Sequence, residues 1–139
     1  MKTKLLKILT SFPNITFALL FGSYANNSQK ELSDIDIAIF VDKPIDLFLQ
    51  GEIIATLECE VGKKIDLVIL NDLYKSNPKL SFNITNNHQV IFCNDYEHYV
   101  EFKINSLKYY LDVKPMLDMF DNALKERLGN GTYGKVKAS

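Results

Sequence analysis

Five residues of this sequence have the types and spacing for phosphate chemistry: Gly22 and Ser23, then, after ten intervening residues, Asp34 and Asp36, and later Asp66. Asp34 and Asp36 stand two apart in DIDIAIFV, where Ile35, Ile37, Ile39 and Val41 face one way and Asp34, Asp36, Ala38 and Phe40 the other. On a strand, that alternation puts both carboxylates on one face with Cα atoms roughly 6.5 to 7 Å apart, near enough to grip one hard cation. At ~5 Å and an effective dielectric of about 20 each carboxylate pair repels by roughly 3 kcal/mol, so three close pairs cost on the order of 10 kcal/mol before screening. A positive partner has to neutralise such a cluster. Oxygen ligands without a nearby imidazole or thiolate select magnesium, or manganese, over zinc. Gly22 permits close backbone approach, and the amides and hydroxyl that follow it can receive a phosphate at the start of a helix. Together these parts suit metal-assisted phosphoryl or nucleotidyl transfer, in which an acceptor hydroxyl attacks the α-phosphorus in line and expels pyrophosphate. Asp66 is expected both to ligate metal and to take the proton of that hydroxyl.

The chain must supply elements that gather these residues. Leu5, Leu6, Ile8, Leu9 and Phe12 form a helical stripe that Pro13-Asn14 ends, and Ile15 to Phe21 is a short continuous apolar run that suits a buried strand. The polar stretch from Tyr24 to Ser33 predicts a short helix and a loop, and Asp34 to Val41 a second strand. From Asp46 to Glu60, Leu47, Leu49, Ile53, Ile54 and Leu57 recur at helical spacing, with Gly62 as the stop. Lys64 to Leu70 is a third strand, and the intervening helix is long enough to be a crossover, so strands two and three should run parallel. Strands one and two, joined by a short excursion, should be antiparallel. Gly22, Asp34, Asp36 and Asp66 then share one rim of the sheet. A short helix around Pro78 to Thr85 and a strand from Gln89 to Cys93 follow. Tyr96 to Leu128 is helical in pattern and expected to be split by Pro115, with Gly129-Asn130-Gly131 ending order.

With 139 residues, 47% of them hydrophobic, the chain can bury a core without disulfides or structural metal. Its 16 basic and 17 acidic side chains give a net charge of -1, which disfavours bulk nucleic-acid binding. The lysines at 2, 4 and 7 break up the N-terminal leucines, and no apolar run approaches the ~18 residues that span a bilayer. A cytoplasmic protein, neither secreted nor membrane-spanning, is expected. Cys59 and Cys93 sit among apolar neighbours and read as reduced, buried thiols. His88 and His98 read as surface or loop residues without a catalytic part, and no zinc site is expected.

Gly22-Ser23, ten residues, then Asp34-Ile35-Asp36 resembles the signature of the polymerase-β-like nucleotidyltransferases, and Asp66 occupies the place of their third carboxylate. In its short length and its late segment DLYKSNPKLSFNITNNHQVIFCND the chain resembles, over about residues 1 to 111, the minimal nucleotidyltransferases that act as MntA-like antitoxins beside HEPN-domain toxins. That resemblance implies an α/β (α+β) fold: a mixed, curved four-stranded sheet with helices mainly on one face, an exposed sheet face and rim for the nucleotide, and a C-terminal helical segment. Residues 1–95 would form the nucleotidyltransferase core, 96–128 a helical segment of the same domain, and 129–139 a disordered tail. It further implies an ATP- and magnesium-dependent adenylyltransferase that attaches AMP to a tyrosine hydroxyl of a HEPN ribonuclease, with Asp34, Asp36 and Asp66 as catalytic metal ligands and Gly22 and Ser23 on the nucleotide phosphates. The sequence departs from the common GSxARG pattern, because Tyr24, Asn26 and Asn27 stand where a basic residue and a glycine are frequent; Lys30 is the candidate to replace the missing basic charge.

Two other readings stay open. A nucleotidyltransferase that modifies a small-molecule hydroxyl, as on an aminoglycoside, shares the chemistry, although only one short helical annex after Asn94 remains to wall in such an acceptor. A binding-only antitoxin with a vestigial metal site would account for the altered segment after Ser23. Tyr109 and Tyr110, with Phe102, could form a protein-binding face, but aromatic residues at helical spacing more often belong to a core.

Overall fold

A computed structural model describes residues 2–25 and 34–136. The elements follow in the order α1 (Lys2–Thr10), β1 (Ile15–Phe21), a 3-10 turn (Gly22–Tyr24), β2 (Ile35–Val41), α2 (Leu47–Val61), β3 (Ile65–Ile69), α3 (Leu73–Ser76), α4 (Pro78–Asn86), β4 (His88–Cys93) and α5 (Tyr96–Val136). The four strands form one mixed sheet in the order β3-β2-β1-β4. β1 pairs antiparallel with β2 and β4, and β2 pairs parallel with β3, as the crossover through α2 requires.

Local chemistry sets the boundaries of the crossover. The Asp46 carboxylate accepts the Leu49 N–H at 2.8 Å and caps α2. Gly62 ends it in the left-handed region, φ 69°, with its N–H donating to the Glu58 carbonyl at 2.8 Å. α4 starts the same way, with Asn77 accepting the Leu80 N–H and Pro78 in the first turn, where its missing donor costs nothing.

Burial divides along the two faces of the sheet. On one, Ile35, Ile37 and Ile39 of β2, with Leu67 and Ile69 of β3 beside them, pack against Leu5 and Leu9 of α1 and Ile53 and Leu57 of α2. On the other, Phe17, Leu19 and Ala38 pack against Leu73, Ile84, Tyr99 and Phe102 from α3, α4 and α5. Phe17 centres this second cluster, stacked on Phe40 at 5.1 Å and edge-on to Tyr99 at 5.5 Å. The sheet is therefore helix-covered on both faces, not mainly on one. The continuous burial of Phe17 to Leu20 is the pattern of a strand with no solvent side, so among the described residues β1 offers a ligand its rim rather than a face.

Four other expectations change. Leu47 is not on the inward face of α2; it and Phe48 are exposed in the first turn. Cys59 is exposed and Cys93 half-buried, though both thiols are free as expected. α3, too short for a periodicity signal, was not anticipated. α5 runs as one helix through Pro115 and past Gly129-Asn130-Gly131, where a break and an end are expected. Pro115 removes one backbone hydrogen bond there, and the carbonyl it orphans, four residues back at exposed Leu111, is open to water.

Candidate active site

The residues singled out by spacing come together through strand register. Phe21 at the end of β1 pairs with Asp36 of β2, and Asp36 pairs in turn with Asp66 of β3. On the other side of Phe21 lies His88, the first residue of β4. One row, His88, Phe21, Asp36, Asp66, thus crosses all four strands at the same rim, with neighbouring strands about 4.8 Å apart. β2 and β3 start in step because the Ile35 N–H donates to the Lys64 carbonyl at 2.9 Å and the Ile65 N–H to the Glu58 carboxylate at 2.9 Å.

The carboxyl of Asp36 is pushed above the usual carboxylate range, first by its partial burial, then by the charges of Asp66 and Asp34, and by a side-chain hydrogen bond with Asp66. Asp34 precedes β2 by one residue and is half-buried; its charge reaches Asp36. Asp66 is exposed at the mouth of the site. Among the described residues no three acid, histidine or cysteine side chains close on a single point, so the tight pair is Asp36 with Asp66 and Asp34 stands beside it. This donor set fits magnesium, which is commonly bound by one or two carboxylates together with substrate phosphates and water rather than by an all-protein cage. The charge balance fits as well: the carboxylates of Asp66 and Asp34 repel that of Asp36, and a cation would relieve this repulsion.

Gly22 turns the chain out of β1 with φ +73°. A Cβ built there would overlap Oδ2 of Asp36 and come within 3.1 Å of its Cγ, so the backbone of the turn and the carboxylate are in direct contact. The Ala25 N–H closes the turn on the Gly22 carbonyl at 3.1 Å, and Tyr24 is buried in the core beneath it. Ser23 lies within this turn. Asn26, Asn27 and Lys30 lie outside the described residues.

Two residues at this rim escape a reading of the sequence. Gln89 donates from Nε2 to the Ala25 carbonyl at 3.0 Å and so ties the end of the glycine turn to β4. His88 is half-buried in a strand, not a loop, with Nδ1 2.7 Å from the Ile84 carbonyl and Nε2 2.8 Å from the Tyr99 hydroxyl. The carbonyl can only accept, so Nδ1 donates to it, and Nε2 is left to the Tyr99 hydroxyl. Gln89 reaches a residue 64 positions back, and His88 links the end of α4 to α5, contacts that no local spacing announces.

The family model described as "Polymerase beta, Nucleotidyltransferase" matches residues 3–97. The chain belongs to that nucleotidyltransferase family. A putative protein adenylyltransferase of Methanocaldococcus jannaschii is 39% identical over 75 residues, which are 54% of this chain and 76% of that one. Among solved structures, a toxin–antitoxin crystal structure with AMP-PNP superposes with a TM-score of 0.75 at 22% identity, covering 88% of this chain and 98% of the other. A Shewanella oneidensis structure, described as a tri-AMPylated HEPN toxin in complex with MNT antitoxin, superposes with a TM-score of 0.70 at 20% identity, covering 88% and 95%. The nucleotidyltransferase fold expected from the spacing of Gly22, Asp36 and Asp66 is thus shared with these proteins. None of the described helices is long and apolar enough to cross a membrane.

Proposed function

We propose that this nucleotidyltransferase is an antitoxin that transfers AMP from ATP to a tyrosine hydroxyl of a HEPN ribonuclease, in the cytoplasm. The observation that carries the reading is the contact of Asp36 with both Asp66 and the Gly22 turn, which puts an acidic metal-binding pair against a backbone able to approach phosphate. The relative named as a putative protein adenylyltransferase and the likeness to a complex of an MNT antitoxin with an AMPylated toxin support the choice of a protein acceptor.

Asp36 and Asp66, with Asp34 at their side, would hold magnesium, whose chemistry here is to neutralise the triphosphate and acidify the acceptor hydroxyl. Gly22 and Ser23 bind the phosphates. Asp66, exposed at the mouth, takes the proton of the tyrosine hydroxyl as its oxygen attacks the α-phosphorus. The bond from that phosphorus to the bridging oxygen breaks, and pyrophosphate leaves with the electron pair. Residues 1–95 carry this chemistry, and the helix beyond them adds contact surface.

The test is incubation of the purified chain with a HEPN partner, labelled ATP and magnesium, followed by mass spectrometry of the partner. One or more AMP increments on a tyrosine are expected, and Asp66→Asn should slow transfer by about 10²- to 10⁴-fold. Label on an aminoglycoside but not on protein would favour a small-molecule acceptor. Rescue of cells by an Asp34→Asn/Asp36→Asn variant at equal abundance would reduce the protein to a binding antitoxin.

A further inference from the structure

We propose that the outer face of α5 is the seam of an antiparallel homodimer of this chain. The inward face of α5 is spoken for by Tyr99, Phe102 and Ser106, all buried. A second apolar line, Val100, Ile104, Leu107 and Leu111, follows the 4-3-4 spacing of a heptad seam on another side of the helix. Val100 is half-buried at the edge of the second core, but the rest of the line is open: Ile104 is 52% exposed, Leu107 45% and Leu111 56%. A groove lined by Tyr96, Glu97, Val100, Glu101 and Ile104 forms its N-terminal half.

Charge decides the occupant. The line ends in Glu97 at its N-terminal end and Lys114 at its C-terminal end, both at positions that continue the same heptad. When a second copy is laid antiparallel with Ile104 against Leu107, the symmetry matches Val100 with Leu111 and Glu97 with Lys114, each pair occurring twice. Glu101 and Lys108, which share one flank of the seam, then also oppose each other. A parallel pairing instead sets Glu97 against Glu97 and Lys114 against Lys114. The stripe is therefore complementary to itself in one orientation only. Lys114 already pairs with Asp118 at 3.1 Å on the exposed surface, a contact weak enough to share. From residue 97 to 114 the seam is about 27 Å long, shorter than a standard interface of roughly 800 Å² per partner requires, so the dimer is reversible and concentration-dependent.

Sedimentation equilibrium of the full chain across a concentration series tests this. The mass should climb from 15.9 kDa toward twice that value, and Ile104→Glu or Leu111→Glu should hold it at the monomer while circular dichroism stays unchanged. Glu97→Lys should weaken association at low salt by about 10-fold, and adding Lys114→Glu should restore it, a rescue that only the antiparallel register permits. A monomer at every concentration would overturn the proposal, as would a dimer indifferent to both apolar variants or a Glu97→Lys defect that Lys114→Glu leaves in place. If the chain alone stays monomeric and only a HEPN partner protects this face from exchange, the surface belongs to that partner and the homodimer is refuted. None of these results bears on adenylyl transfer, which is measured separately.

Discussion

The carboxylate of Asp36 occupies the space that a side chain at residue 22 would need. Gly22 sits at φ +73°, and its missing Cβ is where Oδ2 of Asp36 lies. Phe21 and Asp36 are register partners, so this close approach follows from the antiparallel pairing of β1 with β2, and a side chain at residue 22 would be admitted only by swinging the Asp36 carboxylate aside. The glycine of the signature thus has two independent reasons: a backbone conformation that L side chains disfavour, and close approach to the acidic pair.

Gly22→Ala should therefore impair both stability and catalysis. The left-handed conformation alone costs an alanine about 1–2 kcal/mol, and the overlap with Asp36 must displace the carboxylate from its place beside Asp66. Denaturant unfolding should show the loss in full. In the double variant Gly22→Ala/Asp36→Ala the collision disappears and only the conformational cost should remain. A Gly22→Ala protein with unaltered stability would contradict the contact.

How much of this could be read in advance depends on the range of the interactions. β1 is bounded where its apolar run begins and ends, and β2 and β3 to within a residue, because alternation and Gly punctuation are local signals. The convergence of Asp36 and Asp66 was legible too, since a helical crossover between two strands fixes them as parallel and aligns their starts. The second helical layer was not. That β1 is buried on both faces is written in Phe17 to Leu20, yet which helices cover it depends on how α3, α4 and α5 fold back, for which the sequence holds no local cue. Gln89 and His88 were missed for the same reason, because their partners Ala25 and Tyr99 are far away in sequence or on another element. Pro115 was over-read: in a helix whose outer carbonyls face water, a proline need not end it.

Ile37→Asp should abolish cooperative folding. Ile37 is fully buried on the face of the sheet that α1 and α2 cover, and a carboxylate there would have neither water nor a cation. A destabilisation beyond about 4 kcal/mol is expected, which a domain of this size does not survive comfortably. A thermal melt as sharp and as high as that of the parent chain would refute the assignment of the covered face.

At the start of α5, Asp95 accepts hydrogen bonds from the His98 backbone N–H at 3.1 Å and from the His98 ring. The hydrogen bond to Asp95 raises the imidazole pKa above its ordinary 6.5, and it holds the Asp95 carboxyl below its own range. A group raised by folding lends stability that is complete below its unfolded pKa and lost as pH climbs through the folded one, so this contribution fades from about pH 6.5 upward. In an NMR titration the His98 ring should show a midpoint above 6.5, and Asp95→Asn, which keeps the backbone cap, should bring it back down. An unshifted midpoint in the parent chain would count against the pair.

Asp36 titrates in the opposite sense to an ordinary salt-bridged acid. Its folded pKa lies above the ordinary carboxylate value of 3.8, so the folded state holds its proton longer than the unfolded chain does. The resulting stability is complete below about pH 3.8 and is lost as pH rises through the raised value, leaving the metal-free protein at neutral pH with a carboxylate that folding disfavours. Asp36→Asn removes that charge, and in chelator its melting temperature at pH 7 should exceed that of the parent. Magnesium should invert the order. Binding to the folded state alone raises the parent's melting temperature in proportion to the logarithm of metal concentration, whereas the asparagine variant, with one ligand gone, should respond little. The parent and the variant compared with and without magnesium thus separate electrostatic strain from metal binding. Should the variant melt lower in chelator, the carboxylate of Asp36 is a structural partner rather than a strained ligand; should both proteins respond equally to magnesium, the cation binds elsewhere.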